Sequence, residues 1–352
     1  MSQDRLTDSS TEASSSELTE SAKFKQLSID VLETTHRELF GRAITRVLST
    51  EIAETTYAQI IDGLPLGDVA YDSAGGGPPD GHPIEHVHQD LCLGVLDKTR
   101  KFRQDFDPEV LRFDSRLLFA YQAAAPGSRA FRTRLVELIA VSVHQIAVIL
   151  FELDESLHKD DGMTQWQPEE PDEFYLRFWP DGPLPTLFNH PWFIDYQQYP
   201  NGAADMVGYW AESRILGGVV LFDRRRDSDS NAVYFHSDRL SVTYRIYELL
   251  PEQKQALIEF LTADSTPSNV PIPILGNDSN RNRVDPEEPL DITGIYRDEW
   301  ERKDRIPTAG DDRLRDVWDK MNFPTLEDKI EAGERARERK NRFEYGDDYE
   351  NL

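Results

Sequence analysis

An α+β fold is what this sequence predicts, on three observations. Apolar residues recur at helical spacing from about Lys23 to Ile61, and again almost without interruption over Leu135–Leu153. A strand-like run at Ile215–Phe222 and alternation at Val242, Tyr244 and Ile246 indicate a small antiparallel sheet. Pro251 then opens a closing helix that ends near Leu261.

Taken in order, residues 1–22 are Ser/Thr/Glu-rich without an apolar run and are expected to be disordered. Leu27, Val31, Leu39, Ile44, Leu48 and Ile52 mark the first helical stretch, which the Gly/Pro-rich segment 63–81 ends. A second helix is expected from Pro83 to about Phe106, and a third from Pro108 to before Pro126. Ser128 is the expected N-cap of a fourth, running to about His158 and apolar nearly all round, as befits the centre of a packed layer. Together these predict a bundle-like helical region over 23–162. Residues 163–265 follow as an aromatic-rich α+β region, with a polar turn at 224–231 between the first two strands. Residues 266–352 read as a charged, mostly disordered tail without a core, with short helices such as Leu326–Phe343.

Composition narrows the function. The chain of 352 residues carries a formal charge of −26, and no large segment has the basic excess that phosphate neutralisation requires. Nucleic acid and anionic membranes are therefore not expected as partners. Hydrophobic residues are 38% of the chain, below the usual level of about 45–50%, so part of it stays outside any core. Glu137, His144, Gln145 and Glu152 lie within the most apolar stretch, which favours a buried helix over a membrane span. Cys92 is the only cysteine, so neither a disulfide nor a multi-cysteine zinc site is available. Its apolar neighbours, Leu91 and Leu93, suggest an inert thiol. With no secretory signal at the N-terminus, the cytoplasm or the nucleus is the expected location.

The densest chemical signal is His82-Pro83-Ile84-Glu85-His86-Val87-His88-Gln89-Asp90. If a helix begins at Pro83, His82, His86 and Asp90 share one face at i, i+4 and i+8, where His and carboxylate suit zinc or iron. His82, His86, His88 and Asp90 are thus the metal-ligand candidates, against the alternative that they are exposed polar residues at a helix start. Glu-x-x-His occurs three times, at Glu33/His36, Glu85/His88 and Glu155/His158, the spacing of di-iron ligands. Beside Lys159, Asp160 and Asp161, the last pair looks solvated. His144, two turns after Glu137, reads as a hydrogen-bonded core histidine. Asp205, Glu212, His236 and Asp238 supply an acid/base pair only if folding joins them. His190, Trp192, Tyr196 and Tyr199 mark an aromatic segment that either lines a binding surface or anchors a long loop. His82 and Pro83 stand where a phosphate loop after Gly76 and Gly81 needs Lys and Ser/Thr, and no Gly-x-Ser-x-Gly elbow, dinucleotide fingerprint or kinase motif is present.

Asn189-His190-Pro191, Ala204-Asp205-Met206-Val207-Gly208-Tyr209-Trp210 and Gly217-Gly218-Val219-Val220-Leu221-Phe222-Asp223-Arg224 resemble a family of uncharacterised proteins from filamentous fungi. The likeness extends over about residues 170–263. It implies a genuine fold there and an intracellular fungal protein, and brings no known activity or catalytic residue. The expectation is an intracellular interaction or accessory protein with protein partners, no cofactor and no catalysis of its own. The alternative is a metal-dependent, hydrolase-like enzyme built on the His82–Asp90 cluster with zinc or iron.

Overall fold

Helix α7 (Arg129–Glu152) organises the chain, and its sequence explains why. Ser128 Oγ accepts a hydrogen bond from the Phe131 backbone N–H at 3.2 Å, capping the first turn. Leu135, Leu138, Ile139, Val143, Ile146, Ala147 and Leu150 are buried on several faces, so the helix packs on all sides as expected. It is long and apolar enough to cross a membrane, and most of that stretch is buried inside the fold. In the computed structural model the described residues are 25–74, 77–159, 161–225, 231–264, 269–303, 323 and 325–345. The expectation for residues 1–22 and parts of those for the Gly-rich loop, the 224–231 turn and the tail lie outside them.

A short strand β1 (Gln26–Leu27) pairs with β2 (Phe113–Asp114). The first helical stretch is two helices, α1 (Thr34–Leu48) and α2 (Glu51–Asp62). The break comes at Thr50, whose hydroxyl caps α2 by accepting from Ala53 N at 3.3 Å. After α3 (Gly67–Tyr71), the expected helix from Pro83 to Phe106 is interrupted. It forms only one turn, α4 (Ile84–Val87), and resumes as α5 (Val95–Asp105). Gly94, at φ 86°, takes a left-handed conformation that turns the chain between them. Helix α6 (Ser115–Ala123) then leads into α7, and α8 (Glu173–Phe178) follows it.

Helix α9 (Ala203–Leu216) lies against α7, and the sequence reading missed it. Gly208 permits the close approach: a Cβ there would meet the His144 ring at 2.5 Å. Gly217, at φ 111°, ends α9, so the run read as a strand from Ile215 starts only at β3 (Val219–Asp223). β4 (Val233–His236) and β5 (Ile246–Glu248) continue the sheet, and α10 (Pro251–Thr262) closes it with proline in its first turn. The Val242–Ile246 alternation is realised as a strand only from Ile246.

With β6 (Arg283–Val284) and β7 (Ile295–Tyr296), the sheet is antiparallel in the order β6-β5-β4-β3-β7, so the fold is α+β. Its outer strands, β6 and β7, flank the short helix α11 (Leu290–Thr293). All three come from the segment expected to be a coreless tail, so that expectation fails for the described residues 269–303. Arg297, Glu301 and Arg302 are buried there. Two-residue strands carry no readable periodicity, which is why charge dominated the reading. The last described element is α12 (Leu326–Tyr345), close to the helix expected there.

Side chains of β3 alternate between two cores. Val220 and Phe222 face the helices with Phe235, Tyr247 and Trp210, whereas Val219 and Leu221 face Phe193, Tyr199, Tyr209 and Ile246. The aromatic segment therefore covers the second face of the sheet. His190 and Tyr199 are buried, at 0% and 6% exposure, which removes them as surface-binding candidates. His190 bonds the His236 carbonyl at 3.0 Å, and Tyr199 Oη donates to the Glu301 carbonyl at 2.8 Å. Trp192 and Tyr196 are half-buried against the same core.

Candidate metal centre

Four donor atoms from three separated segments converge at one end of α2. Asp62 is the last residue of α2, and Gly63 follows it in the left-handed region at φ 104°. That turn leaves the Asp62 carbonyl open to the segment after α7: it accepts from Ser156 Oγ at 2.9 Å and from Leu157 N at 3.2 Å. Ser156 Oγ in turn accepts from His158 N at 3.0 Å, which sets the position of His158. Gly63 is indispensable to this docking, because a Cβ would fall 1.6 Å from Ser156 Oγ. On the other side, Gly67 N donates to the His88 carbonyl at 2.8 Å, holding the α4–α5 loop that carries His88 and Cys92.

One donor from each of Asp62, His88, Cys92 and His158 lies within 4.8 Å of the other three. His88 Nε2 is 3.2 Å from Asp62 Oδ2, Cys92 Sγ is 3.3 Å from His158 Nε2, and His158 Nε2 is 3.8 Å from Asp62 Oδ1. A tetrahedral zinc ion with bonds of about 2.0–2.3 Å separates its ligands by about 3.3–3.8 Å. Both imidazoles are oriented from behind. His88 Nδ1 donates to the Pro65 carbonyl at 2.9 Å, and His158 Nδ1 to Asp161 Oδ2 at 2.7 Å. Each Nε2 therefore faces the cluster, the arrangement in which outer partners fix the tautomer of a metal-binding histidine.

Asp62 is fully buried, and its Oδ1 makes no hydrogen bond. Its Oδ2 accepts from Cys92 N at 2.8 Å. Burial pushes the Asp62 carboxyl up, but hydrogen bonds from His88 and Cys92 outweigh it and hold it below its ordinary value. For His88 burial works downward, and the bonds to Asp62 and Pro65 overcome it, raising the imidazole. Burial, followed by the neighbouring Asp62, holds the Cys92 thiol above its ordinary value. Two acidic groups and two imidazole nitrogens thus share a small volume with one carboxylate oxygen unpartnered, and a divalent cation would satisfy all four.

Of the ligands expected from sequence, only His88 takes part. The helix that would have aligned His82, His86 and Asp90 stops at Val87. His82 uses both ring nitrogens elsewhere, bonding Met163 O at 3.0 Å and accepting from Ile84 N at 3.1 Å. The His86 side chain is 82% exposed, and Asp90 is exposed too. The three Glu-x-x-His pairs do not build a di-iron site: His36 bonds Ala124 O and packs on Tyr121 and Phe131, while Glu85 and Glu155 are exposed. His158, read as solvated, is drawn in by its loop, and Cys92, read as inert, is half-buried beside it. Asp62 carried no signal at all. The one local hint was His88-x-x-x-Cys92, the sole cysteine one helical turn after a histidine.

A cavity of about 780 Å³ adjoins the cluster. Its walls include Gly63, Lys98, Phe102, Leu150 and His158, the last being the only one of the four donors that lines it.

Elsewhere, Asp205 and Glu212 do meet, on His144. His144 Nε2 is 2.9 Å from Asp205 Oδ1, and Nδ1 is 2.9 Å from Glu212 Oε1. Arg297 Nη1 spans both Glu212 oxygens at 2.8 and 2.7 Å. Glu137 instead pairs with Arg134 and Arg224. Asp238 binds Arg214 and Ser213, and His236 contacts the Tyr244 carbonyl. Compared with known proteins, the chain matches no family model, no curated protein and no solved structure.

Proposed function

We propose that this chain is a metal-binding protein, with one zinc ion held by Asp62, His88, Cys92 and His158. The observation that carries the reading is the buried Asp62 Oδ1, which makes no hydrogen bond, in a cluster with one thiol and two imidazoles that are held from behind. The mixed set of one thiolate, two imidazoles and one carboxylate suits zinc. Four protein donors make a closed centre, the kind that holds a fold together, here by tying the end of α2 to the α4–α5 loop and to the segment after α7. A closed centre of this kind is a structural one, so it supports metal binding without requiring that the chain be an enzyme.

Elemental analysis of the purified full-length protein tests it. About one zinc per chain is expected, falling to background in Asp62→Asn and Cys92→Ser while His86→Ala/Asp90→Ala keeps it. Background zinc in the parent protein, even after incubation with zinc and dialysis, would sink the reading.

A second reading has its own support. Cys92 Sγ, His158 Nε2 and Asp161 line up as nucleophile, base and orienting carboxylate at 3.3 and 2.7 Å. Against it stand burial and, after it, the neighbouring Asp62, which together push the Cys92 thiol above its ordinary value. Alkylation by iodoacetamide separates the two: a metal thiolate reacts only after a chelator is added, whereas an activated nucleophile reacts at once.

A further inference from the structure

The cavity beside the cluster has features the closed centre does not use. Asp62 and His88 are sealed, at 0% and 3% exposure, so a molecule in the cavity can reach the ion only where His158 stands. His158 is also the donor on the least regular support, a loop between α7 and α8 held by Ser156 and Asp161. Asp62 ends a helix, and His88 and Cys92 are fixed by Pro65 and by the Asp62 carboxylate. If His158 swings aside, three donors remain, the number that leaves zinc an exchangeable fourth position.

The walls indicate what fits. Ile60, Ile61, Phe102, Leu150 and Phe151 give an apolar floor. Lys98 and Lys101 stand about one turn apart on α5 and form no ion pair with a described residue. Lys159 is engaged by Asp154, and Asp105, Glu152 and Glu155 also line the cavity. Charges of both signs around an apolar floor match a molecule that carries both signs and an apolar body.

Resting on the metal reading above, we infer that the cavity binds a small zwitterion with an apolar body, an amino acid or short peptide, whose carboxylate takes the place of His158 at the ion. Lys98 and Lys101 neutralise the carboxylate as it enters, and the acidic wall receives the ammonium group. The displaced imidazole stays bonded to Asp161 within reach of the bound molecule. The ion-binding centre is then a gated site, closed when empty and open when the cavity is filled.

The test uses the full-length protein loaded with cobalt(II), whose visible spectrum reports its ligands, and the dipeptide Leu-Leu as probe. Saturable binding by calorimetry with a concurrent change in the cobalt spectrum is expected. Lys98→Gln/Lys101→Gln, on an exposed helix face, should weaken binding about tenfold or more with cobalt loading unchanged. His158→Ala should still take up cobalt and still respond to Leu-Leu, unlike Asp62→Asn. A normal cobalt spectrum that Leu-Leu leaves unchanged overturns the gated site and leaves the metal centre standing. Binding without a spectral change assigns the cavity but overturns the exchange at His158. Failure to load cobalt at all removes the metal reading, and this inference with it.

Discussion

His88 and His144 are both buried imidazoles held against carboxylates, yet their surroundings differ in one respect. Around His144 each donor has its acceptor: both ring nitrogens meet a carboxylate, and Arg297 neutralises Glu212. Around His88 and His158 the rear nitrogens are satisfied, His88 Nε2 meets Asp62 Oδ2 at 3.2 Å and His158 Nε2 meets the Cys92 thiol at 3.3 Å, while Asp62 Oδ1 makes no hydrogen bond. The first is a closed ionic network, and the second leaves one buried carboxylate oxygen that the proposed cation would meet. Satisfaction of every polar atom, rather than the presence of histidine and acid, separates a structural cluster from a binding one.

Breaking the closed network should have the largest effect. Arg297→Ala leaves Glu212 buried at 0% exposure with only His144 opposite it, and a loss of about 3–5 kcal/mol is expected in urea unfolding, with or without a chelator. At the metal centre the loss should depend on the ion. Cys92→Ser is expected to remove about 3–4 kcal/mol of the stabilisation seen in zinc at 100–1,000 times Kd, and to change little once EDTA is present. Equal losses in both conditions would make the cluster an ordinary piece of core.

Gly63→Ala probes the same centre without touching a ligand. The added methyl displaces Ser156 and, through it, His158, so zinc affinity should fall about 10- to 100-fold in a competition titration with a chromophoric chelator.

The two clusters should also respond oppositely to pH. At His144 burial works downward, and the bonds to Asp205 and Glu212 overcome it, so the imidazole is raised. A raised pKa means that stability is fully present below the ordinary imidazole value of about 6.5, and is lost as pH climbs through the folded value. Asp205 and Glu212 are depressed despite burial, by His144 and by Arg297 respectively, so their contribution is lost only as pH falls below about 4. Zinc binding displaces protons, so its stabilisation grows as pH rises. Denaturant midpoints between pH 5 and 8 should therefore fall in EDTA and fall less, or rise, in zinc. His144→Gln should flatten the EDTA curve.

The smallest effect is expected from His86→Ala/Asp90→Ala, within about 0.5 kcal/mol and with metal content unchanged, because both side chains are exposed. Loss of metal there would return the centre to the face the sequence first suggested.

Local signals in the sequence carried what local physics decides. Ser128, the apolar run of α7, Pro251 and the mixed helical and strand periods gave the α+β class and several boundaries. Helix α9 escaped because it is buried all round, and its aromatics read as loop anchors rather than as a stripe. The break at His88–Gly94 escaped because a left-handed glycine was read as a helix residue. Of the metal candidates only His88 stayed, for a different reason: the proposed donors lie at 62, 88, 92 and 158, and tertiary docking at Gly63 and Gly67 joins them. Periodicity finds ligands that share a helix or strand, and of these four only His88 and Cys92 share even a loop.

The order of strands in the sheet has a further consequence for how the chain is made. β6 and β7 sit on opposite outer edges, although they are close in sequence and follow every other strand. During synthesis the β3–β5 trio therefore leaves the ribosome with both flanks bare. At about 5–20 residues per second, the stretch from Glu248 to Tyr296 takes about 2–10 s to appear. The nascent chain carries two open pairing edges until Val284 appears and one until Tyr296, with a Glu212 whose arginine has not yet been translated, so crowded polysomes are where this fold is most exposed to intermolecular strand pairing.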